Sequence, residues 1–257
     1  MMDPIYYRQQ GSGPTVILIH GFPMNHEVWN NFAKKLSASV QVVTVDLPGF
    51  GESPALPNGF SLEDVAKTVY AWIKDKNYYK PVIVGHSLGG YVALAIAEED
   101  LDLMAGMCLF HSTAVADSQE KKDSRNKVLE LIDKKGVEAF TSNFIGQLYA
   151  DPKHSSIAHV KKIAVRSSKD AVAGYTKAMR DRKDRTGVLN RFPRPIFFLS
   201  GEKDQGISPE SVKQQALNNR LAEVTILQNV AHMGMFEEEN VCLEKIEKFV
   251  GQCQVTS

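Results

Sequence analysis

The residues most able to do chemistry lie at residues 85–89, where the sequence reads Gly-His-Ser-Leu-Gly after an apolar run. Glycines two positions before and after Ser87 allow a sharp turn from a strand into a helix, because larger side chains would collide across it. Such a turn exposes the serine hydroxyl beside a helix N-terminus, where the helix dipole favours developing negative charge. The motif therefore predicts that Ser87 is a nucleophile.

A serine hydroxyl is a weak nucleophile, so it needs a base that is itself oriented by a third group. His232 is the best candidate for the base, since it follows a strand-like run at residues 224–228 and precedes the last predicted helix. That position places it on a loop at the carboxyl edge of a parallel sheet, where the turn at Ser87 also opens. We predict that His232 accepts the serine proton.

The acid that orients the base is expected between the serine and the histidine in sequence. Asp204 follows the strand-like run at residues 196–201 and so lies at the same sheet edge. Glu202 and Asp170 compete for this role, but Glu202 lies too close to the strand end and Asp170 lies in a region of different character. Asp204 is therefore the predicted acid.

Acyl transfer also requires hydrogen-bond donors that stabilise an oxyanion. The predicted donors are the backbone N–H of Leu88 and the backbone N–H of Phe22, which lies in the loop after the first long strand. Gly21 lets this loop turn tightly. His20 is interpreted as a structural residue that packs against the loop.

Three further residues are predicted to bind substrate, namely Met24, His111 and Met233. Met24 follows the oxyanion loop, Met233 follows the predicted base, and His111 ends a predicted strand. For His111 a second interpretation stays open, in which local hydrogen bonds satisfy the ring. No residue pattern indicates a metal site or an organic cofactor, and none is expected.

The elements that must position these residues alternate between strands and helices along the chain. Strands are predicted at residues 16–20, 41–46, 81–87, 106–111, 196–201 and 224–228, and helices at residues 26–37, 62–74, 88–98, 209–218 and 238–250. Apolar runs rich in β-branched residues, separated by helices, are typical of an α/β fold. They predict a mostly parallel central sheet with helices on both faces.

Residues 116–191 differ from the rest, because their pattern is largely helical and contains no convincing strand. We predict that they form a helical cap inserted into a core made of residues 1–115 and 192–257. Lys and Arg outnumber Asp and Glu in this segment. We interpret that excess as solvated helix faces in preference to an anion-binding surface.

The composition narrows the classes of partner. A formal net charge of zero gives no support for a nucleic acid or an anionic membrane as the main partner. The N-terminus lacks a secretory signal pattern, and no apolar run approaches the roughly 20 residues that span a bilayer. Three cysteines form no recognisable pairing. We expect a soluble cytoplasmic protein that acts on a small molecule; its oligomeric state stays open.

These motifs together resemble the α/β-hydrolase superfamily, over nearly the whole chain and in the branch with a serine nucleophile. Besides residues 85–89, the resemblance rests on the His-Gly-x-Pro loop at residues 20–23, on Asp-Leu-Pro-Gly-x-Gly-x-Ser at residues 46–53, and on the loops of Asp204 and His232. The resemblance implies the α/β-hydrolase fold with an inserted helical cap.

Within that superfamily the nucleophile discriminates between branches. Serine disfavours epoxide hydrolases and haloalkane dehalogenases, which use aspartate, and dienelactone-type hydrolases, which use cysteine. Residues 178–184 are loosely similar to a segment of enol-lactonase-like members. Since only residues 5–9 are available before the strand at residues 16–20, one early strand of the family is expected to be missing or shortened.

The sequence thus predicts a serine hydrolase that cleaves a carboxylic ester, or a related acyl substrate, through an acyl-enzyme intermediate. Lactonase, thioesterase, C–C hydrolase and acyltransferase activities are the alternatives on the same fold. A ligand receptor with vestigial catalysis is the alternative from another class.

Overall fold

Seven strands form one sheet in the computed structural model, which describes residues 3–255. The strands are β1 Tyr7–Gln10, β2 Thr15–Ile19, β3 Gln41–Val45, β4 Val82–His86, β5 Gly106–Phe110, β6 Ile196–Gly201 and β7 Ala222–Leu227. Their order across the sheet is β1-β3-β2-β4-β5-β6-β7. Only β1 runs antiparallel to its neighbour among these strands. In residues 3–255, a single four-residue strand, β1, precedes β2.

Helices connect the parallel strands, and two more helices follow β7. They are α1 Asn30–Leu36, α2 Leu62–Asp75, α3 Leu88–Glu99, α4 Gln119–Phe144, α5 Ile157–Ala164, α6 Lys169–Arg180, α7 Thr186–Arg191, α8 Pro209–Ala216, α9 Gly234–Glu237 and α10 Glu239–Val255, with 3-10 helices at His26–Trp29 and Ile145–Leu148. None of the helices in residues 3–255 is long and apolar enough to cross a membrane.

Alternate residues of each strand pack on opposite faces of the sheet. In β2, Ile17 and Ile19 belong to a buried cluster that includes α2 and α3, whereas Val16 and Leu18 belong to a cluster that includes α1 and α10. Strands covered on both faces are apolar throughout, which explains the uninterrupted runs in the sequence. The predicted α/β architecture is confirmed.

The start of α2 shows how local sequence fixes an element. Ser61 Oγ accepts a hydrogen bond from the Asp64 N–H at 3.2 Å, and the Asp64 carboxylate accepts one from the Ser61 N–H at 2.8 Å. This reciprocal capping satisfies two amides that have no partner within the helix. Ser208 caps α8 similarly, with Pro209 at the first helical position.

Helices α4 to α7 all lie between β5 and β6 in the chain. Within α4, the helical path breaks at Gly136, whose φ of 80° lies in the left-handed region that favours glycine. The two parts of α4 thereby point in different directions.

Candidate active site

Ser87 occupies a strained turn between β4 and α3. Its φ of 51° lies in the left-handed region, and its N–H donates to Phe110 O at 2.9 Å. A Cβ added at Gly85 would lie 2.4 Å from the backbone of Gly89, and one at Gly89 would lie 2.4 Å from Ile19 O. Gly85 is therefore required for the turn itself, as the spacing of the motif predicts, and Gly89 is required for the close approach of α3 to the end of β2.

Asp204 and His232 form a hydrogen-bonded pair at the same sheet edge. His232 Nδ1 lies 2.7 Å from Asp204 Oδ2. The other carboxylate oxygen, Oδ1, accepts from the N–H groups of Gly206 at 2.9 Å and Ile207 at 3.0 Å. Burial raises the pKa of Asp204, but its interactions with His232 and His111 lower it by more, so the net shift is downward. The carboxylate is ionised and held by several donors.

Two further histidines surround this pair. His86 Nε2 lies 2.9 Å from His232 O, and His111 Nδ1 lies 3.4 Å from Asp204 Oδ2. Both rings are fully buried, and burial is the main reason that the pKa of each is lowered. They are therefore neutral near pH 7.

The two predicted oxyanion donors are unpaired. Among residues 3–255, the backbone N–H groups of Phe22 and Leu88 donate to no partner in the protein. Leu88 is the first residue of α3, where helix N–H groups lack intrahelical acceptors. Both amides are thus free to bind an external oxygen.

His20 ties the loop of Phe22 to the end of β3. Its Nε2 accepts from the Leu47 N–H at 3.0 Å, so Nδ1 carries the proton and donates to Gly21 O at 2.9 Å. Burial lowers the pKa of His20 to about 4, which keeps the ring neutral. The structural interpretation of His20 is confirmed.

Asp46 organises the neighbouring loop, a role that the sequence motif did not reveal. Its Oδ1 lies 2.8 Å from His26 Nδ1, and its Oδ2 accepts from the Glu52 N–H at 2.9 Å. A Cβ at Gly51, whose φ is 52°, would lie 2.1 Å from that carboxylate. The glycine at this point of the motif is therefore needed for close approach to Asp46.

A cavity of about 450 Å³ opens in front of Ser87 and is also lined by Asp204 and His232. The structure therefore brings the three predicted residues to one site. More than half of the lining residues lie between β5 and β6. The apolar part of the lining includes Phe22, Val128, Leu131, Phe140, Phe144, Leu148, Met179 and Ile207. The phenyl rings of Phe140 and Phe144 stack with centroids 4.9 Å apart.

A second buried carboxylate, Asp117, lines the same cavity. Arg125 Nε donates to Asp117 Oδ2 at 2.5 Å, and Arg182 pairs with Oδ1. The guanidinium of Arg182 also donates to Val115 O at 2.8 Å and lies 4.2 Å from the centre of the Tyr91 ring. Burial raises the pKa of Asp117, but the two arginines lower it by more, so the net shift is downward.

Sequence reasoning missed this Asp117 cluster. The spacing of its members gives no sign of it, because Asp117 and Arg182 are 65 positions apart. The signal that could have found it is the segment at residues 178–184, where a charged run contains the one arginine that turns inward.

The three residues predicted to bind substrate lie elsewhere, which corrects that prediction. Met24, His111 and Met233 are buried, with exposures of 1%, 0% and 0%, and none of them lines the cavity. Met24 and Met233 pack in the cluster on the α1 and α10 face of the sheet. Adjacency in sequence to Phe22 and His232 did not fix the direction of their side chains. For His111 the alternative interpretation, local hydrogen bonding, is the one observed.

His111, Asp204 and His232 also offer atoms within 4.8 Å of one another that could ligate a metal. However, the 2.7 Å between Asp204 Oδ2 and His232 Nδ1 is a hydrogen-bond distance. Two ligands of a tetrahedral zinc ion lie roughly 3.3 Å apart, given metal–ligand bonds of about 2.0 Å. The geometry fits a hydrogen-bonded cluster better than a metal centre.

Part of the chain is similar in sequence to curated esterases. Pimeloyl-[acyl-carrier protein] methyl ester esterase from Pseudoalteromonas atlantica is 40% identical over 91 residues, which are 35% of this chain and 34% of that protein. The alignments with the first curated relatives cover between 34% and 41% of their length.

Solved structures align over nearly the whole chain. A thermophilic esterase from Thermogutta terrifontis has a TM-score of 0.91 at 26% identity and covers 97% of this chain and 93% of its own. The enol-lactonase from Burkholderia xenovorans LB400 shares the fold, with a TM-score of 0.88, 18% identity and 96% of both chains covered.

A model of the alpha/beta hydrolase family matches residues 16–242, which include β2 from its second residue, β3 to β7 and every residue of the site described above. The chain belongs to the alpha/beta hydrolase family.

Proposed function

We propose that the protein is a serine hydrolase that cleaves a carboxylic ester, with Ser87, His232 and Asp204 as its catalytic triad. The observation that carries this proposal is the Asp204–His232 hydrogen bond at 2.7 Å on the wall of the cavity that Ser87 enters. The esterase names of the relatives and of the structural neighbour support the same reaction class.

In the proposed reaction, Ser87 Oγ attacks the ester carbonyl carbon while His232 Nε2 takes the hydroxyl proton. Asp204 holds the proton of Nδ1 in place and stabilises the imidazolium that forms. The N–H groups of Phe22 and Leu88 donate to the carbonyl oxygen as it becomes negatively charged. Removing one such donor typically costs about 100- to 1,000-fold in kcat.

The tetrahedral intermediate then breaks its bond to the alcohol oxygen, which receives the proton from His232. Water attacks the acyl-enzyme and gives a proton to His232, which returns it to Ser87 Oγ as the acid is released. Atoms and protons balance with one water consumed per ester. We propose no cofactor for this reaction.

We also propose that residues 116–191 act as a cap that binds the acyl group. A cavity of about 450 Å³ with stacked Phe140 and Phe144 rings suits a small apolar chain. Lys121 and Arg125 lie on its wall together with Asp117 and Asp204, so the charged side chains balance. Substrates should therefore include esters with an uncharged, apolar acyl chain.

The test of the triad is Ser87→Ala assayed with p-nitrophenyl esters of graded chain length. We expect a loss of more than about 1,000-fold in kcat with the fold intact by circular dichroism, because no other group replaces the nucleophile. Ser37→Ala, at the exposed end of α1, is the matched control and should keep full activity. Retained turnover in Ser87→Ala would reject the proposal.

A panel of esters, lactones and acyl thioesters, with and without a terminal carboxylate, tests the substrate class. Esters should give the highest kcat/KM, and labelling of Ser87 by a fluorophosphonate should be visible by mass spectrometry. Transfer of the acyl group to added alcohol or amine would indicate an acyltransferase. A slow single turnover with retained ligand would indicate a receptor.

A further inference from the structure

His111 lies at a point where the backbone is strained. It directly follows β5, has a φ of 47°, and donates its N–H to Leu199 O at 2.7 Å. A bulky residue in the left-handed region costs about 1–2 kcal/mol relative to glycine. The position therefore tolerates a histidine only because surrounding contacts hold it there.

The hydrogen bonds of His111 fix its tautomer. Its Nε2 accepts from the Gly234 N–H at 3.2 Å, so in the neutral ring the proton lies on Nδ1. Nδ1 faces Asp204 Oδ2 at 3.4 Å, a contact that falls short of hydrogen-bond geometry, and in residues 3–255 it has no hydrogen-bond partner. A fully buried donor without a partner is costly, so its one favourable interaction is with the carboxylate.

The Gly234 contact links the same ring to the loop of the base. Gly234 lies two residues after His232, and a Cβ at Gly234 would lie 2.6 Å from His111 Nε2. The ring can approach this closely only because residue 234 is a glycine. His86 holds the carbonyl of His232 from the other side, at 2.9 Å.

We propose that His111 is a positioning residue that acts through Asp204, donating from Nδ1 to the oxygen that also accepts from His232. This inference rests on the proposed function of the triad. The second donor fixes the rotation of the carboxylate and lowers its basicity, so the proton between Asp204 and His232 stays on His232. The same ring holds the base loop through Gly234.

Two substitutions separate these contacts. In His111→Asn, the amide nitrogen can replace Nδ1 and keep the donor to Asp204, and asparagine tolerates the left-handed backbone well. In His111→Gln, the amide oxygen can replace Nε2 and keep the acceptor for Gly234, whereas the donor to Asp204 is lost. Each variant therefore retains one of the two hydrogen bonds.

We expect kcat for a p-nitrophenyl ester to fall about tenfold in His111→Gln, which is the scale of losing one hydrogen bond to a charged group. In His111→Asn it should stay within about threefold of wild type, even if the melting temperature falls, because the bond to Asp204 remains. KM should change by less than about twofold in both, since the ring lies outside the cavity. The fraction of active protein is measured by titration with a fluorophosphonate.

A spectroscopic readout separates positioning from a purely structural role. The downfield NMR signal of the His232 Nδ1 proton should shift in His111→Gln and keep its wild-type position in His111→Asn. Unchanged kcat in His111→Gln would overturn the proposal. So would losses of kcat in both variants that merely follow their losses of stability.

Gly234→Ala is a second route to the same test, because its methyl group displaces the ring without removing it. We expect a fall in kcat of similar size with KM unchanged, and unchanged kcat would count against the proposal. Failure of this inference is distinguishable from failure of the triad. If the triad is wrong, Ser87→Ala remains active, whereas if only the inference is wrong, activity depends on Ser87 but not on residue 111.

Discussion

Two buried aspartates face one cavity, and they differ in what surrounds them. Asp204 and Asp117 have exposures of 5% and 6%, and both have lowered pKa values despite burial. Histidines face Asp204, whereas Arg125 and Arg182 pair with Asp117. An imidazole can take and release a proton near pH 7, but a guanidinium cannot. Basic side chains therefore keep both carboxylates ionised, but only those around Asp204 are of a type that can exchange a proton near pH 7.

The largest expected effect contrasts the two carboxylates in catalysis. Asp204→Asn should lower kcat by about 10⁴-fold, the scale seen when a triad acid becomes an amide and the histidine tautomer is wrong. Asp117→Asn should lower kcat by less than about tenfold, since no proton passes through its arginines. Steady-state kinetics with one ester measure both. Equal losses of kcat in the two variants would contradict the proposed difference between the two carboxylates.

For the free energy of unfolding, the larger loss is expected at Asp117. Asp117→Ala should lower the free energy of unfolding by about 3–5 kcal/mol, because Arg182, only 5% exposed, is left as an unpaired buried charge. Asp204→Ala should cost about 1–3 kcal/mol, since its loss leaves hydrogen-bond donors without an acceptor but leaves no guanidinium buried without its partner. Urea unfolding at pH 7 gives both values. A larger loss for Asp204→Ala would contradict this assignment of charge.

Lowering the pH should reduce the free energy of unfolding through buried histidines near the site, whereas the arginines stay charged. His20 has a pKa of about 4 when folded and a usual value of 6.5, so below pH 6.5 the unfolded chain binds the extra proton. The corresponding stability is fully present above pH 6.5 and is lost as pH falls towards 4, amounting to about 3 kcal/mol. His20→Asn should flatten the dependence of unfolding free energy on pH in this range. Arg125→Met should leave that slope as it is in the wild type.

The smallest expected effect concerns the ring beneath Arg182. Tyr91→Leu removes a cation–π contact at 4.2 Å and should lower the free energy of unfolding by about 1–2 kcal/mol. Tyr91→Phe keeps the aromatic face and should change it by less than about 0.5 kcal/mol. A loss in Tyr91→Phe as large as in Tyr91→Leu would assign the effect to the hydroxyl group.

The turn at Ser87 was predictable because its motif has a fixed spacing. The clash at Gly85 is with Gly89 within the turn, whereas the clash at Gly89 is with the end of β2, which is distant in sequence. The mostly parallel sheet, and the edge of it that holds Asp204 and His232, follow from the alternation of strands and helices along the chain. Both the motif and the alternation of elements are patterns that can be read along the chain.

The directions of side chains were harder to predict. Met24 and Met233 lie next to site residues in sequence yet pack beneath the sheet. His111 turns to Asp204 because β5 and β6 are neighbours and Gly234 leaves room, which are facts of tertiary packing. The pairing of Asp117 with Arg182 depends on how α4 and α6 pack together, and the sequence pattern is silent about it.

The position of α4 to α7 within the chain has a consequence for how this molecule can change. The segment between β5 and β6, which contains these helices, supplies more than half of the residues that line the cavity, while Ser87, Asp204 and His232 all come from loops outside it. In the proposed mechanism, substitutions within this one continuous segment can therefore alter which substrates fit without displacing Ser87, Asp204 or His232. Exchanging this segment between relatives should transfer substrate preference and leave the proposed catalytic residues in place.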